Sequence, residues 1–303
     1  MSDFLEVTDL GGDGLASVLQ LAEAVKNDPE ASMEARRGSR VGLFFEKPST
    51  RTRVSCEVAC VDVAAHPLVL KNEEVGLGSR EAVKDVARTL DRYLDVLAFR
   101  VFLHTNLVQL AEYADAPVIN LLSDRSHPCQ ALADLQTIAE HRPLAGAVVT
   151  YVGDGNNVVQ SLMLACAMVG AHIRVASPAG YEPAEDVIAE ATAIAAASGG
   201  SVTVGSDPES LVAGADVVYT DVWTSMGQED EAADRRVLFA PFQVTGDMFA
   251  LAADDAIFMH CLPAHRDEEV TDEVMEDPRS RVFDQAENRM HSFKALLLYL
   301  TEN

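Results

Sequence analysis

Apolar residues along the chain alternate between short runs rich in β-branched and aromatic side chains and longer Ala- and Leu-rich stretches at helical spacing. In the first half, the runs 41–45, 68–70, 96–100 and 117–120 predict strands, with helices between them at about 52–64, 80–93 and 106–114. Strands alternating with helices make βαβ units, so a mainly parallel sheet with helices on both faces is expected. The second half repeats the plan, with strands at 148–152, 173–176, 201–204, 217–220 and 257–260 and helices at about 156–169 and 183–198. The architecture repeats, although no sequence repeat is visible.

A helix predicted at about 128–140 is stopped by Pro143, because the residue before a proline is pushed out of the α region. The boundary between the halves is expected there. The expected fold class is α/β with two domains, 1–130 and 131–303, each a mainly parallel sheet flanked by helices. The tail at about 287–301 reads as an amphipathic helix through Met290, Phe293, Leu296, Leu297 and Leu300. Such a stripe needs an apolar surface, and periodicity leaves either domain open as that surface.

Charge narrows the partners. With 23 basic and 48 acidic residues, the net charge is −25 at pH 7. Nucleic acid and anionic membranes want a basic footprint, so neither is an expected partner. No apolar run suits a bilayer span and the N-terminus has no basic-then-apolar signal pattern, so a cytoplasmic protein is expected. Acids are dispersed along the chain, and lysine occurs only at Lys26, Lys47, Lys71, Lys84 and Lys294. That distribution suggests adaptation to concentrated salt, where self-repulsion is screened; the blander alternative is an acidic cytoplasmic protein. Cys56, Cys60, Cys129, Cys166 and Cys261 form no CxxC pair and read as buried free thiols.

Five segments carry candidate chemistry. Ser49, Thr50, Arg51, Thr52 and Arg53 follow the strand at 41–45 and open a helix. A helix N-terminus offers N–H donors to an anion and arginine adds a planar fork, so this cluster points to phosphate rather than to capping alone. His127, Pro128, Cys129 and Gln130 also open a helix. His127 could donate to an oxygen, while Gln130 offers a donor and an acceptor to an amide-like or carbamoyl group, a weak signal by itself. Arg100 ends the third strand, and ligands of open α/β sheets gather beyond the carboxyl ends of strands, so these three groups could share one crevice.

The segment Gly153-Asp154-Gly155-Asn156-Asn157 looks like a dinucleotide loop but lacks the third glycine and the acid after the following strand, so no nicotinamide cofactor is expected. Asn156 and Asn157 would instead bind a zwitterion's carboxylate or amine, or cap the helix. Asp221 follows the strand at 217–220, ahead of the only tryptophan, Trp223, and of Ser225, Met226 and Gly227. An acid so placed can hold a substrate ammonium, and the Ser-Met-Gly stretch suits a lid. His260, Cys261 and His265 invite a zinc reading, but His260 and Cys261 alternate faces if extended and no further ligand pair stands at metal spacing, so no metal is expected. Cys261 could act as a nucleophile; the residues alone do not choose between a covalent route and direct transfer.

Taken together, Phe-Phe-Glu-Lys-Pro-Ser-Thr-Arg-Thr-Arg (44–53), His-Pro-Cys-Gln (127–130), Asp-Gly-Asn-Asn (154–157), Asp-Val-Trp-Thr-Ser-Met-Gly-Gln (221–228), His-Cys-Leu-Pro-Ala-His-Arg (260–266) and Ala-Glu-Asn-Arg (286–289) resemble the ornithine carbamoyltransferases. The Ser-Thr-Arg-Thr-Arg string is shared with aspartate carbamoyltransferases and implies carbamoyl phosphate as donor. Ser-Met-Gly and His-Cys-Leu-Pro imply L-ornithine as acceptor. The resemblance further implies a carbamoyl phosphate domain, then an ornithine domain, with the last helix returning to the first. It also implies trimers, or assemblies of trimers, with active sites at the subunit boundary.

By that resemblance, Ser49, Thr50, Arg51, Thr52 and Arg100 hold the phosphate, and His127, Arg100 and Thr52 the carbamoyl oxygen. Gln130 and the Leu262 carbonyl take the carbamoyl nitrogen, with Arg289 nearby. Asn156, Asn157, Asp221, Ser225 and Met226 bind ornithine, and Cys261 lies beside the reacting amine and the carbamoyl phosphate. Arg100, His127 and Cys261 are the catalytic candidates. Phosphate departs as the amine attacks, with no metal, cofactor or covalent intermediate required. One departure stands out: Gly76-Leu77-Gly78 replaces the Gln-Leu-Gly of many relatives, whose glutamine reaches a neighbouring subunit's donor. Alternatives are a carbamoyltransferase for putrescine or an acetylated ornithine, and a non-catalytic binding protein.

Overall fold

The computed structural model describes residues 3–224 and 229–302. They group into one unit of Met1–Gln136 with Glu287–Asn303, and a second of Thr137–Ala286. The first unit runs α1 (Gly11–Asn27), β1 (Arg40–Phe45), α2 (Thr50–Asp62), β2 (His66–Lys71), α3 (Asn72–Val75), α4 (Val83–Leu90), β3 (Val96–Arg100), α5 (His104–Tyr113), β4 (Val118–Leu122) and α6 (Pro128–Ala139). Helix α6 runs on into the second unit.

Its sheet is parallel throughout, in the order β2-β1-β3-β4. Alternate β1 and β3 side chains bury an aromatic layer in which Phe44 and Phe99 stack 4.8 Å apart. The chain leaves β1 toward one edge and β3 toward the other, so the carboxyl ends of these neighbours form a switch point. Register pairs Phe45 with Arg100 there.

The second unit contains β5 (Val148–Val152), α7 (Asn157–Met168), β6 (His172–Ala176), α8 (Glu185–Ser198), β7 (Ser201–Gly205), α9 (Pro208–Val212), β8 (Val217–Thr220), α10 (Ala232–Phe239), α11 (Gly246–Phe249), β9 (Ile257–His260), α12 (Asp272–Met275) and the start of α13 (Val282–Glu302). Its parallel sheet runs β7-β6-β5-β8-β9, which puts the switch point between β5 and β8. Both units are thus helix-flanked parallel sheets, the expected fold class.

Several particulars differ from expectation. Helix α1 lies outside the expected elements, because Gly11, Gly12 and Gly14 weaken its first turn; Leu15, Val18, Ala22 and Val25 nonetheless bury one face. The expected division after residue 130 and the parting of the units after Gln136 both fall within α6. Helix α13 begins at Val282 rather than near 287. Its residues from Glu287 belong to the first unit, where Lys26 donates to Asn288 Oδ1 at 2.8 Å and buried Lys294 meets Asp62 at 2.6 Å.

All five cysteines are free, but only Cys56, Cys60, Cys129 and Cys166 are buried; Cys261 is half-buried. Burial pushes the Cys60 and Cys129 thiols up to about 12, so they remain unreactive.

Candidate active site

At the first switch point, Ser49 is the N-cap of α2 and its hydroxyl accepts the Thr52 N–H at 3.3 Å. The capping reading of Ser49 therefore holds, and its O–H stays available as a donor. First-turn N–H groups of a helix have no intrahelical partner, so this end of α2, beside Arg51, has the donors that an anion requires. Thr52, Arg100, His127, Gln130 and Arg289 are all buried.

Arg289, on α13, joins two of them: it donates to Gln130 Oε1 at 2.5 Å and to Thr52 Oγ1 at 3.2 Å. Gln130 Nε2 in turn donates to Asp134 Oδ1 at 2.8 Å, which fixes the orientation of the amide. Because Thr52 Oγ1 accepts from Arg289, its own proton can point toward a ligand oxygen. Burial, then the charges of Arg289 and Arg100, hold the His127 imidazole well below 6.5, so it is a neutral donor. Lys47, quoted in the motif but given no role, lies near enough to Arg100 for that charge, after burial, to lower its pKa. It adds positive potential to the same end of the sheet.

At the second switch point, Asn156 caps α7, its Oδ1 accepting from Val158 N–H at 2.9 Å and Val159 N–H at 3.3 Å. Its Nδ2 donates to Asp221 Oδ2 at 2.9 Å, while Cys261 Sγ–H donates to Asp221 Oδ1 at 3.0 Å. Asn156 thus caps its helix, the second of its two expected uses, and its amide nitrogen is engaged by Asp221. Gly155 allows the turn because a Cβ there would lie 2.2 Å from the Glu182 carbonyl carbon.

The loop after β9 is held by His260. Leu262 N–H donates to His260 Nδ1 at 2.9 Å, which assigns the proton to Nε2, 3.1 Å from Glu269 Oε1. Leu262 itself has φ +60°, a left-handed conformation rare for a branched side chain.

Residues 2–140 match the carbamoyl-P binding domain of the aspartate/ornithine carbamoyltransferases, and residues 145–300 match their Asp/Orn binding domain. The chain is also 52% identical over 300 residues to an ornithine carbamoyltransferase of Acidothermus cellulolyticus, covering 99% of this chain and 96% of the relative. It belongs to the aspartate/ornithine carbamoyltransferase family. Among solved structures, the ornithine carbamoyltransferase of Pyrococcus furiosus superposes with a TM-score of 0.95 at 49% identity, covering 98% of this chain and 96% of that one. An acetylornithine transcarbamylase complexed with acetylcitrulline gives 0.89 at 29% identity, covering 99% of both chains.

Within this carbamoyltransferase fold, the first unit brings together Ser49, Thr52, Arg100, His127, Gln130 and Arg289, with Thr50 and Arg51 in the opening turn of α2. The second brings together Asn156, Asp221 and Cys261, with Asn157 opening α7 and Leu262 following Cys261. Ser225 and Met226 lie outside the described residues.

Asp221, arriving from β8, joins His260 and Cys261 with ligand atoms within 4.8 Å of one another. Both ring nitrogens of His260 are already engaged, so ligation there would break the bond to Leu262 N–H or to Glu269. Gly76 also has a local cause: it ends α3 at φ +64°, and a Cβ would sit 2.6 Å from Arg80 Cβ.

Proposed function

We propose that the chain transfers the carbamoyl group of carbamoyl phosphate to the side-chain amine of L-ornithine, giving L-citrulline and phosphate. One observation supports this reading: each unit gathers charged and polar side chains at the switch point of its sheet. The first offers cations, hydroxyls and a helix N-terminus, which suit a carbamoyl phosphate. The second offers the Asp221 carboxylate beside the Cys261 thiol, which suits an aliphatic ammonium.

In this reading the neutral amine attacks the carbonyl carbon, negative charge grows on the carbonyl oxygen, the bond to phosphate breaks, and the surplus proton of the attacking nitrogen passes to the departing phosphate. Arg100, neutral His127 and Thr52 donate to that oxygen, preorganised where the charge develops. Ser49, Thr50, Arg51 and the α2 terminus stabilise the departing phosphate, and Gln130 with the Leu262 carbonyl orients the carbamoyl nitrogen. Asn157, Asp221, Ser225 and Met226 hold ornithine, and Asn156 braces Asp221. Free ornithine is protonated on its side chain, with a pKa of about 10, so the site must take up the neutral form. Direct transfer leaves Cys261 a neighbour of the amine, not a nucleophile.

No metal enters this chemistry. Citrulline formation should therefore persist after exhaustive chelation. Activity that vanished and returned only with zinc would overturn the metal-free route.

We further propose a cytoplasmic trimer, or an assembly of trimers, adapted to salt. An apolar stripe supports assembly: Val54, Val58 and Val61, on the helix that carries Thr50–Arg53, are 55%, 39% and 63% exposed. The charge of −25 supports the salt dependence, since the screening length falls from about 10 Å at 0.1 M to about 3 Å at 1 M. Molar potassium chloride should keep the trimers together and active, with dissociation and loss of activity on dilution. Sedimentation and activity measured together across a salt series check this; a fully active, undissociated enzyme in dilute buffer would refute it.

A further inference from the structure

We propose that Arg235 is a positioning residue for the acceptor, fixing the backbone on both sides of the Asn156–Asp221 pair. Arg235 lies on α10, outside every motif that carries the family resemblance, and it is only 5% exposed. Its Nη1 donates to the Trp223 carbonyl at 2.8 Å and lies 3.2 Å from Asp154 Oδ2. Trp223 is two residues beyond Asp221, and Asp154 two residues before Asn156. The guanidinium therefore ties the β8 end to the β5 turn, the two segments whose side chains meet at 2.9 Å in the Asn156–Asp221 bond.

Its own orientation is fixed twice over. Nε donates to Glu231 Oε2 at 3.0 Å, and the guanidinium carbon stands 4.8 Å from the Tyr181 ring centroid. Tyr181 also accepts the Gly155 N–H at 2.8 Å through its carbonyl, so the stacking ring and the β5 turn move as one piece. Burial pushes the Asp154 carboxyl up to about 6 even with the lowering effect of Arg235 beside it, so the carboxylate depends on the arginine for its charge. With three N–H groups committed to protein acceptors, Arg235 serves as a brace for the acceptor side chains and not as a ligand.

The inference rests on ornithine being the acceptor. The test is R235Q, with D154N/R235Q as a second variant that leaves no buried carboxylate unpaired. Displacement of a positioned group by about 1 Å can cost on the order of 100-fold. The ornithine KM should accordingly rise by about 10-fold or more, while carbamoyl phosphate affinity changes by less than about 2-fold. R235K should recover only part of the loss, because an ammonium cannot span both acceptors as the planar fork does. Emission from Trp223, the only tryptophan, should shift in R235Q. An unmoved ornithine KM in an otherwise active enzyme, or an equal fall in donor affinity, would overturn the proposal. A wild-type enzyme that bound donor but used no ornithine would overturn the acceptor reading beneath it, a separate and recognisable failure.

Discussion

Replacing Arg51 with alanine is expected to weaken carbamoyl phosphate binding by roughly 10- to 150-fold and to lower turnover with it. The figure follows from a charge-assisted hydrogen bond contributing about 1.5–3 kcal/mol, at about 1.4 kcal/mol per tenfold in affinity. Arg51 is the second residue of α2, between the Ser49 cap and buried Thr52, where the helix dipole and first-turn N–H groups already favour an anion. Removing the guanidinium leaves that backbone cradle in place, so binding should be impaired and not abolished. Calorimetric titration with carbamoyl phosphate measures it directly. Unchanged donor affinity would remove Arg51 from the phosphate site.

Asp221→Asn should have a comparable effect on the other substrate, weakening ornithine by roughly 10- to 150-fold through loss of a charged hydrogen bond. The local geometry can survive the change. Asparagine can turn its carbonyl toward Asn156 Nδ2 and its amide toward Cys261 Sγ, occupying the places of Oδ2 and Oδ1. Carbamoyl phosphate affinity should barely move, because the donor groups are carried by other elements. If donor binding fell as far as ornithine binding, Asp221 would be structural and its assignment as the ammonium partner would fail.

Much of this molecule is readable from one sequence because its sheets are parallel and buried. The strands at Val96–Arg100, Val148–Val152, Val217–Thr220 and Ile257–His260 match the expected runs residue for residue, since buried parallel strands are nearly continuous apolar runs, and β9 is buried although it lies at a sheet edge. The edge strand β2 is less distinct: it is only partly buried and extends beyond the expected 68–70 at both ends. Helix α1 is hidden by its glycines, and the first turn of α13 by Phe283, which is 66% exposed and breaks the apolar stripe before the expected start.

The candidate site divides in the same way. Groups clustered in one segment, such as Ser49 to Arg53 or His127 to Gln130, can be read from their order alone. Pairings that join distant segments cannot. Arg289 reaching Thr52 and Gln130, Asn156 bracing Asp221, and Arg235 bridging Asp154 to Trp223 all depend on which strands the crossovers make neighbours. The third acid beside His260 and Cys261 is hidden for that reason: Asp221 stands beside Cys261 only because β8 and β9 pair.

The most direct measurement is the fate of a labelled carbamoyl group. The enzyme, kept in molar salt, would be given carbamoyl phosphate carrying carbon-13 together with L-ornithine, putrescine and acetylated ornithine in equal amounts. Products would be identified by mass spectrometry and phosphate release measured in parallel. The expected result is label in citrulline, with one phosphate released for each citrulline formed. Label in carbamoylputrescine or acetylcitrulline instead, or no labelled product from an enzyme that still binds the donor, would contradict the account.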